Sequence, residues 1–131
     1  MQNKSSILVV DDADTVLHLM RHTLANAGYD VKIASNGVDA LALAKQHQFD
    51  AVFTDINMPQ MDGIHLIKAL RELPGYEKTP ILALTMTNTE TIKQTGKAAG
   101  ATGWINKPIS PPSLLDLLTR FGLSTMPRSE Y

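Results

Sequence analysis

Polar side chains suited to phosphate chemistry stand at the ends of four short apolar segments. Two neighbouring carboxylates, Asp11 and Asp12, follow the first segment, and Asp55 ends the third. The fourth segment ends in Thr85, and Lys107 lies just beyond the fifth. A carboxylate can act as the nucleophile toward a phosphoryl donor, while a lysine and a hydroxyl stabilise charge on the phosphoryl oxygens. These residues therefore predict phosphoryl chemistry, provided that the fold brings them together.

The three carboxylates also predict a divalent cation. Like charges held close together raise one another's pKa and destabilise the fold, and a bound cation relieves that repulsion. Mg²⁺ prefers carboxylate and carbonyl oxygens and keeps several of its waters, so it is the predicted cofactor. The chain contains no cysteine, which excludes thiolate metal sites, disulfides and cysteine nucleophiles.

The elements that must position these residues follow from strict alternation of apolar and amphipathic segments, five times over. Such alternation predicts an α/β fold with a parallel sheet. The predicted strands are Ser6–Val10, Asp30–Ala34, Ala51–Thr54, Pro80–Thr85 and Thr102–Ile105. The predicted helices cover residues 14–27, 37–48, 63–72, 89–99 and 111–121.

The composition of the strands predicts their order in the sheet. The first, third and fourth are continuously apolar, as central strands covered on both faces are, whereas the second and fifth are mixed and read as edges. This pattern fits a doubly wound, flavodoxin-like (βα)5 sheet with the strand order 2-1-3-4-5. Ligands of such sheets bind beyond the carboxyl ends of the strands, where the five polar residues are expected to meet.

Helix faces and caps can be predicted from the same spacing. The first helix is expected to bury a stripe formed by Val16, Leu19, Met20, Thr23, Leu24 and Ala27. Gly28 is expected to end that helix, and Asp62 to cap the third rather than bind a ligand. The fourth helix is weak, because Thr89–Ala99 holds three threonines and Gly96.

Composition and charge bound the class of protein. The 131 residues fit one domain with a core, and a formal net charge of −1 provides no global basic field for nucleic acid or an anionic membrane. The apolar runs are too short to span a bilayer, and the N-terminus lacks the apolar segment of a signal peptide. These features predict a cytoplasmic domain that binds neither nucleic acid nor membrane.

Two pairs of residues at i,i+4 spacing lie outside the predicted site and are interpreted as ordinary surface residues. His18 and His22 have the i,i+4 spacing of a helical metal pair, but they lie off the apolar stripe and a third ligand is not evident. Lys93 and Lys97 on the fourth helix are expected to be solvated charges rather than a patch for a partner.

Four segments together resemble response-regulator receiver domains, and most closely the stand-alone chemotaxis type. They are Ile7–Asp12, Asp55–Gly63 (Asp-Ile-Asn-Met-Pro-Gln-Met-Asp-Gly), Leu84–Thr85 and Lys107–Pro108. The run Gly96–Ile105 is particularly similar to chemotaxis-type members. The resemblance assigns residues 5–122 to a receiver domain and leaves 123–131 as a flexible tail.

The resemblance implies a role for each matching residue. Asp55 would be the phosphoacceptor, and Thr85 and Lys107 would each contact a phosphoryl oxygen. Mg²⁺ would be bound by Asp12, by Asp55 and by the backbone carbonyl of Asn57, with Asp11 acting through a metal-bound water. Thr85 and Trp104 would form the switch, although tryptophan replaces the tyrosine or phenylalanine that is usual at position 104.

The implied function is a single-domain response regulator of a two-component, chemotaxis-type phosphorelay. A histidine kinase similar to CheA would be the donor, and the target would be a protein such as a flagellar motor switch component. Binding would change at the face formed by the fourth helix, fifth strand and fifth helix of a monomer. The domain would be a phosphoacceptor with slow autodephosphorylation rather than an enzyme. A phosphate sink or relay intermediate, an Asp-nucleophile phosphatase, and a flavodoxin-like cofactor carrier remain as alternatives.

Overall fold

Strands and helices alternate along the chain in the computed structural model, which describes residues 5–56, 62–85, 90–107 and 110–120, apart from the side chain of Ile92. The strands are β1 (Ser6–Val10), β2 (Asp30–Ala34), β3 (Ala51–Asp55), β4 (Ile81–Thr85) and β5 (Gly103–Asn106). The helices are α1 (Asp14–Asn26), α2 (Gly37–Gln46), α3 (Gly63–Arg71), α4 (Glu90–Ala99) and α5 (Pro111–Arg120). All ten predicted elements are present: β1 and β2 have the predicted bounds, and the ends of the others differ from the prediction by at most two residues.

The five strands form one parallel sheet in the order β2-β1-β3-β4-β5, as predicted. Val10 is paired with Thr54, Asp55 with Leu84, and Thr85 with Asn106. Because every strand runs in the same direction, this register places the carboxyl ends of β1, β3, β4 and β5 along one edge.

The sheet separates two apolar cores, since successive strand residues point to opposite faces. One core holds the inward residues of α1 and α5, and it includes Val9, Phe53 and Leu84 from the central strands. The other core holds the inward residues of α2 and α3 together with Ala99 of α4. The central strands are buried apart from Ser6 at the start of β1, as their apolar composition predicts.

The buried face of α1 differs from the predicted stripe. Leu17, Met20 and Leu24 are buried, whereas Leu19 is 44% exposed. The centre of the buried face is therefore turned toward Leu17, while Val16 and Ala27 still pack against the same core. Leu19 lies on the far side of the predicted stripe and is carried outward. The histidines at positions 18 and 22 are exposed, which agrees with their placement off the apolar face.

The predicted helix signals at Gly28 and Asp62 are confirmed. Gly28 has a φ of 102°, a left-handed conformation that suits glycine just after a helix. The Asp62 carboxylate accepts a hydrogen bond from the His65 backbone N–H at 2.9 Å, as an N-cap does. Asn36 caps α2 in the same way through the Asp39 N–H.

A partly buried guanidinium connects the end of α3 to the turn between α4 and β5. Arg71 Nε and Nη2 donate to the Gly100 carbonyl at 3.0 and 2.9 Å, and Nη1 donates to the Tyr76 carbonyl at 2.6 Å. Gly100 has a φ of 113°, and a Cβ there would lie 2.9 Å from Arg71 Cγ. Arg71 therefore fixes the C-terminal end of α4, just before the strand that leads to Lys107.

Across the described ranges, no helix is both long enough and apolar enough to cross a membrane.

Candidate functional site

Four strands bring the predicted site residues to the same edge of the sheet. Asp11 follows β1, and Asp55 and Thr85 are the last residues of β3 and β4. Lys107 follows β5, and its backbone N–H donates to the Thr85 carbonyl at 2.9 Å, which extends the β4–β5 ladder by one residue. This backbone hydrogen bond therefore fixes the positions of Thr85 and Lys107 relative to each other.

Three carboxylates converge at this edge. One oxygen from each of Asp11, Asp12 and Asp55 lies within 4.8 Å of the other two. Asp11 is fully buried and Asp55 is 7% exposed, whereas Asp12 faces solvent. The cluster is thus buried on the sheet side and open on the solvent side, where a ligand can enter.

The turn after β1 holds Asp11 in place. The Ala13 N–H donates to Asp11 Oδ1 at 2.9 Å, and the Asp11 N–H donates to the Ala34 carbonyl of β2 at 3.2 Å. The other carboxylate oxygen, Oδ2, is also buried. Its close neighbour is the ammonium of Lys107, 2.7 Å away.

Lys107 makes ion pairs with two carboxylates at once. Its Nζ lies 2.7 Å from Asp11 Oδ2 and 3.3 Å from Asp55 Oδ1. Burial alone would lower the pKa of Lys107, but the contact with Asp11 and the negative charges of both aspartates outweigh it and raise that pKa. The side chain therefore stays charged at neutral pH and remains available to stabilise an anion.

The carboxyl group of Asp55 is buried, and its neighbours act on its pKa in opposite directions. Burial raises the pKa of its carboxyl, the charge of Asp11 raises it further, and Lys107 and the Ile56 N–H oppose the rise. That N–H donates to Oδ1 at 2.9 Å, and the lysine contacts the same oxygen. Both contacts are made to Oδ1 and hold that oxygen in place.

A glycine at the start of α3 lets that helix approach the end of β3. The Gly63 N–H donates to the Ile56 carbonyl at 2.8 Å, and a Cβ on Gly63 would lie 2.1 Å from the Asp55 carbonyl oxygen. No side chain fits in that space, so glycine at 63 supports the backbone of Asp55. The sequence pattern contained this glycine, but its role emerges only from the packing.

Thr85 and Trp104, the predicted switch pair, lie on neighbouring strands. Thr85 is buried, and Trp104 is partly buried and paired in register with Ala83. The Trp104 indole contacts α4, where a Cβ on Gly96 would lie 2.7 Å from ring atom Cζ3. The predicted backbone ligand, Asn57, lies outside the described residues.

The other singled-out residues remain apart from this cluster. His18 and His22 do not belong to any group of three or more metal-ligating side chains within the described ranges. The ring of His22 instead contacts the Asn26 side-chain amide at 3.0 Å. On α4, Lys93 is partly buried and Lys97 is exposed.

The carboxylate cluster suits a divalent cation. It offers oxygen ligands only, which favours Mg²⁺ over the softer transition metals. Lys107 is the one ammonium that contacts these carboxylates among the described residues, so three carboxylates leave negative charge that a divalent cation would balance. The residues present therefore fit a magnesium site.

Comparison with known proteins gives a consistent family. The model of the response regulator receiver domain matches residues 7–119. The Staphylococcus aureus transcriptional regulatory protein SrrA is 35% identical over 130 residues, which cover 96% of this chain and 53% of SrrA. The chain thus spans about half the length of the curated relatives it matches.

Solved structures of the same family share the fold. Chemotaxis protein CheY4 of Vibrio cholerae superposes with a TM-score of 0.88 at 44% identity, covering 90% of this chain and 98% of that one. The receiver domain of the Pseudomonas aeruginosa sensor histidine kinase PA1611 superposes with a TM-score of 0.83 at 25% identity, covering 90% and 97%. That structure carries a magnesium ion coordinated in its active-site cleft.

Proposed function

We propose that this chain, which belongs to the response regulator receiver domain family, accepts a phosphoryl group on Asp55 in a two-component phosphorelay and thereby switches its binding to another protein. The observation that carries the proposal is the convergence of Asp11, Asp12 and Asp55 with the Lys107 ammonium at one sheet edge. Receiver domains are generally phosphoacceptors rather than classical enzymes.

The side chains suit an in-line transfer. An Asp55 carboxylate oxygen attacks the phosphorus of the donor, and the bond from phosphorus to the donor's leaving atom breaks, so that this atom departs with the electron pair. Lys107 already lies 3.3 Å from Asp55 and is placed to stabilise negative charge on a phosphoryl oxygen. Thr85, at the end of the adjacent strand, is proposed to donate a hydrogen bond from its hydroxyl to another phosphoryl oxygen.

Asp12, Asp55 and the backbone carbonyl of Asn57 are proposed to bind Mg²⁺, and Asp11 to act through a metal-bound water. The cation would neutralise charge on the carboxylates and on the phosphoryl oxygens. Asp11 has a second function, because its contact with Lys107 holds the ammonium next to Asp55. Asp12 is exposed and enters the cluster from the solvent side.

The proposed donor is a histidine kinase of the CheA type. The basis is the 44% identity to chemotaxis protein CheY4, which this chain matches over almost its whole length. The proposed target is a protein such as a flagellar motor switch component, bound by a monomer at the α4–β5–α5 face in the cytoplasm. The proposed domain covers residues 5–122 with a tail at 123–131, and the part after residue 120 lies outside the described residues.

Phosphorylation adds roughly −1.5 to −2 charges at Asp55 at neutral pH. Lys107 can follow that charge through a change of side-chain rotamer, and its backbone bond to Thr85 connects the movement to β4 and β5. The proposed switch then changes the surface that includes Trp104. Loss of the phosphoryl group is proposed to be slow and to occur without a second enzyme.

Acetyl phosphate with Mg²⁺ tests the proposal directly. Wild-type protein should shift on a phosphate-affinity gel, and the shift should be absent with Asp55→Asn and with chelator. Asp116→Asn, at an exposed position of α5, is the matched control and should be labelled like wild type. Equal labelling of wild type and Asp55→Asn would reject the proposal.

A pull-down distinguishes a binding switch from a phosphate sink. Beryllofluoride-treated protein should capture a partner that untreated protein does not capture. If labelling is normal but the two samples capture the same proteins, the sink or relay role replaces the switch.

A further inference from the structure

The indole of Trp104 rests in a gap on α4 that exists because residue 96 is glycine. A Cβ built on Gly96 would lie 2.7 Å from Cζ3 of the indole and 3.5 Å from both Cε3 and Cη2. Real Cβ atoms do not approach other atoms to 2.7 Å, so a methyl group at 96 would displace either the ring or the helix. The Cζ3 edge of the six-membered ring points at the glycine, and this edge belongs to a rigid ring rather than to a flexible chain end.

Glycine is a poor choice for this position unless the gap is required. Replacing alanine by glycine inside a helix lowers the folding equilibrium constant about fivefold, and α4 already contains two threonines. Among the residues of α4 whose burial is described, the buried ones are Gly96 and Ala99, both small. Among the described residues, the bulk at this contact between α4 and β5 is supplied by the strand, through Trp104.

Trp104 occupies a position between the candidate site and α4. It lies three residues before Lys107, and its neighbour Asn106 is paired with Thr85. Ile105, the intervening residue, packs with the α1–α5 core on the opposite face. Movement of β5 at its carboxyl end would therefore be transmitted to the indole and to the helix against which the indole rests.

We propose that Gly96 is a positioning residue for Trp104: its missing side chain forms a notch that holds the indole against α4 and so sets the α4–β5 surface. Filling the notch moves the ring outward without altering the carboxylate cluster. The consequence for switching rests on the proposed function, whereas the notch itself does not.

A double-mutant cycle tests the notch independently of phosphorylation. Gly96→Ala in the wild-type background should fail to give the roughly fivefold gain in folding equilibrium constant that helix propensity predicts. In a Trp104→Leu background, where the ring is gone, Gly96→Ala should give that gain. Urea unfolding followed by far-ultraviolet circular dichroism measures all four proteins without relying on the tryptophan.

The emission of Trp104, the single tryptophan of the chain, provides the second readout. Gly96→Ala should shift the emission to longer wavelength, because the displaced ring meets more water, and should reduce the emission change on adding beryllofluoride. Labelling by acetyl phosphate should be unchanged. An unchanged emission together with an equal fivefold gain in both backgrounds would overturn the notch.

The two proposals fail in different ways. If wild type is not labelled by acetyl phosphate, the proposed function is wrong, but the stability cycle still decides whether the notch exists. If wild type is labelled and the cycle shows no coupling between positions 96 and 104, the notch is wrong and the phosphoacceptor role stands.

Discussion

The reactivity of Asp55 depends on opposing influences that act on one carboxyl group. Burial and the neighbouring charge of Asp11 disfavour its ionised form, while the Lys107 ammonium and the Ile56 N–H favour it. The result is a pKa above the ordinary range for aspartate. At neutral pH the carboxylate is still the form that attacks phosphorus, but it carries a folding penalty that a bound cation or a phosphoryl group can change.

This penalty predicts that Asp55→Asn stabilises the cation-free protein at neutral pH. Because the folded-state pKa is raised, the penalty is absent below the unfolded-state pKa and develops as pH rises through the folded-state pKa. Asparagine avoids it, so the variant should gain on the order of 1 kcal/mol at pH 7. The gain should vanish below about pH 4.

Urea unfolding in chelator at the two pH values measures this difference, with Asp116→Asn as the control. Asp116 forms an exposed ion pair with Arg120, and its replacement should change the unfolding free energy by less than about 1 kcal/mol. If Asp55→Asn is less stable than wild type at pH 7, the attraction between Lys107 and the Asp55 carboxylate stabilises the folded protein more than the burial of that carboxylate destabilises it.

Gly63 gives a second prediction at the scale of single residues. In Gly63→Ala the new methyl group would meet backbone atoms of Asp55 and Ile56, which cannot move aside as a flexible side chain can. The variant should lose about 3 kcal/mol of stability. It should also be labelled more slowly by acetyl phosphate, because the Asp55 backbone is displaced. Native stability of Gly63→Ala in urea unfolding would contradict the close approach.

The sequence predicts the polar residues of the site better than the contacts that hold them in place. Asp11, Asp12, Asp55, Thr85 and Lys107 were predicted because each stands at a strand end and the sheet is parallel. The distance from Lys107 to two carboxylates depends on side-chain conformation, which no sequence pattern fixes. The close contact at Gly63 is equally invisible in the sequence, since a glycine before a helix has several ordinary explanations.

At the scale of elements, the Arg71 contacts explain how a weak helix is held at one end. Three guanidinium hydrogen bonds reach the carbonyls of Gly100 and Tyr76, so the C-terminal end of α4 is tied to α3. The composition of α4 predicted its weakness but not this attachment, because residues 71 and 100 are far apart in sequence. The rotated face of α1 shows a similar limit, since Leu17 and Leu19 are chemically equivalent.

Removal of the guanidinium should therefore destabilise the protein markedly. Arg71→Gln leaves partly buried carbonyls without donors and should lower the unfolding free energy by about 2–3 kcal/mol. Arg71→Lys should recover little, because an ammonium cannot reproduce the fork of donors. Urea unfolding of both variants provides the measurement.

Arg120→Gln is the matched control for Arg71. Arg120 is exposed on α5 and forms an i,i+4 ion pair with Asp116 at 3.2 Å. Its loss should change stability by about 0.5 kcal/mol or less. If the two arginine variants lose the same amount, Arg71 does not hold α4 in solution.

At the scale of the whole molecule, the strand order brings the carboxyl ends of four strands together, so that one ligand can contact side chains from all four. That order was predictable, because the fully apolar strands must be central and the mixed strands must be edges. One apolar core on each face of the sheet holds the strands in place. Binding at the strand ends is therefore coupled to the stability of the entire domain.

This coupling predicts that Mg²⁺ raises the melting temperature and that the rise depends on Asp12. A ligand that binds the folded state at ten times its dissociation constant stabilises by about 1.4 kcal/mol. Asp12→Asn should lose most of this effect. Asp14→Asn, an exposed residue in the first turn of α1, should retain it. Equal Mg²⁺ stabilisation of Asp12→Asn and wild type would place the cation elsewhere.

The most direct test of the account is to locate the phosphoryl group. Wild-type protein treated with acetyl phosphate and Mg²⁺ is reduced with borohydride, which converts an aspartyl phosphate to a stable alcohol, and is then mapped by peptide mass spectrometry. The account predicts reduction at Asp55 alone, with none in the sample lacking Mg²⁺. Reduction at Asp11 or Asp12 instead, or no reduction at any aspartate, would contradict it.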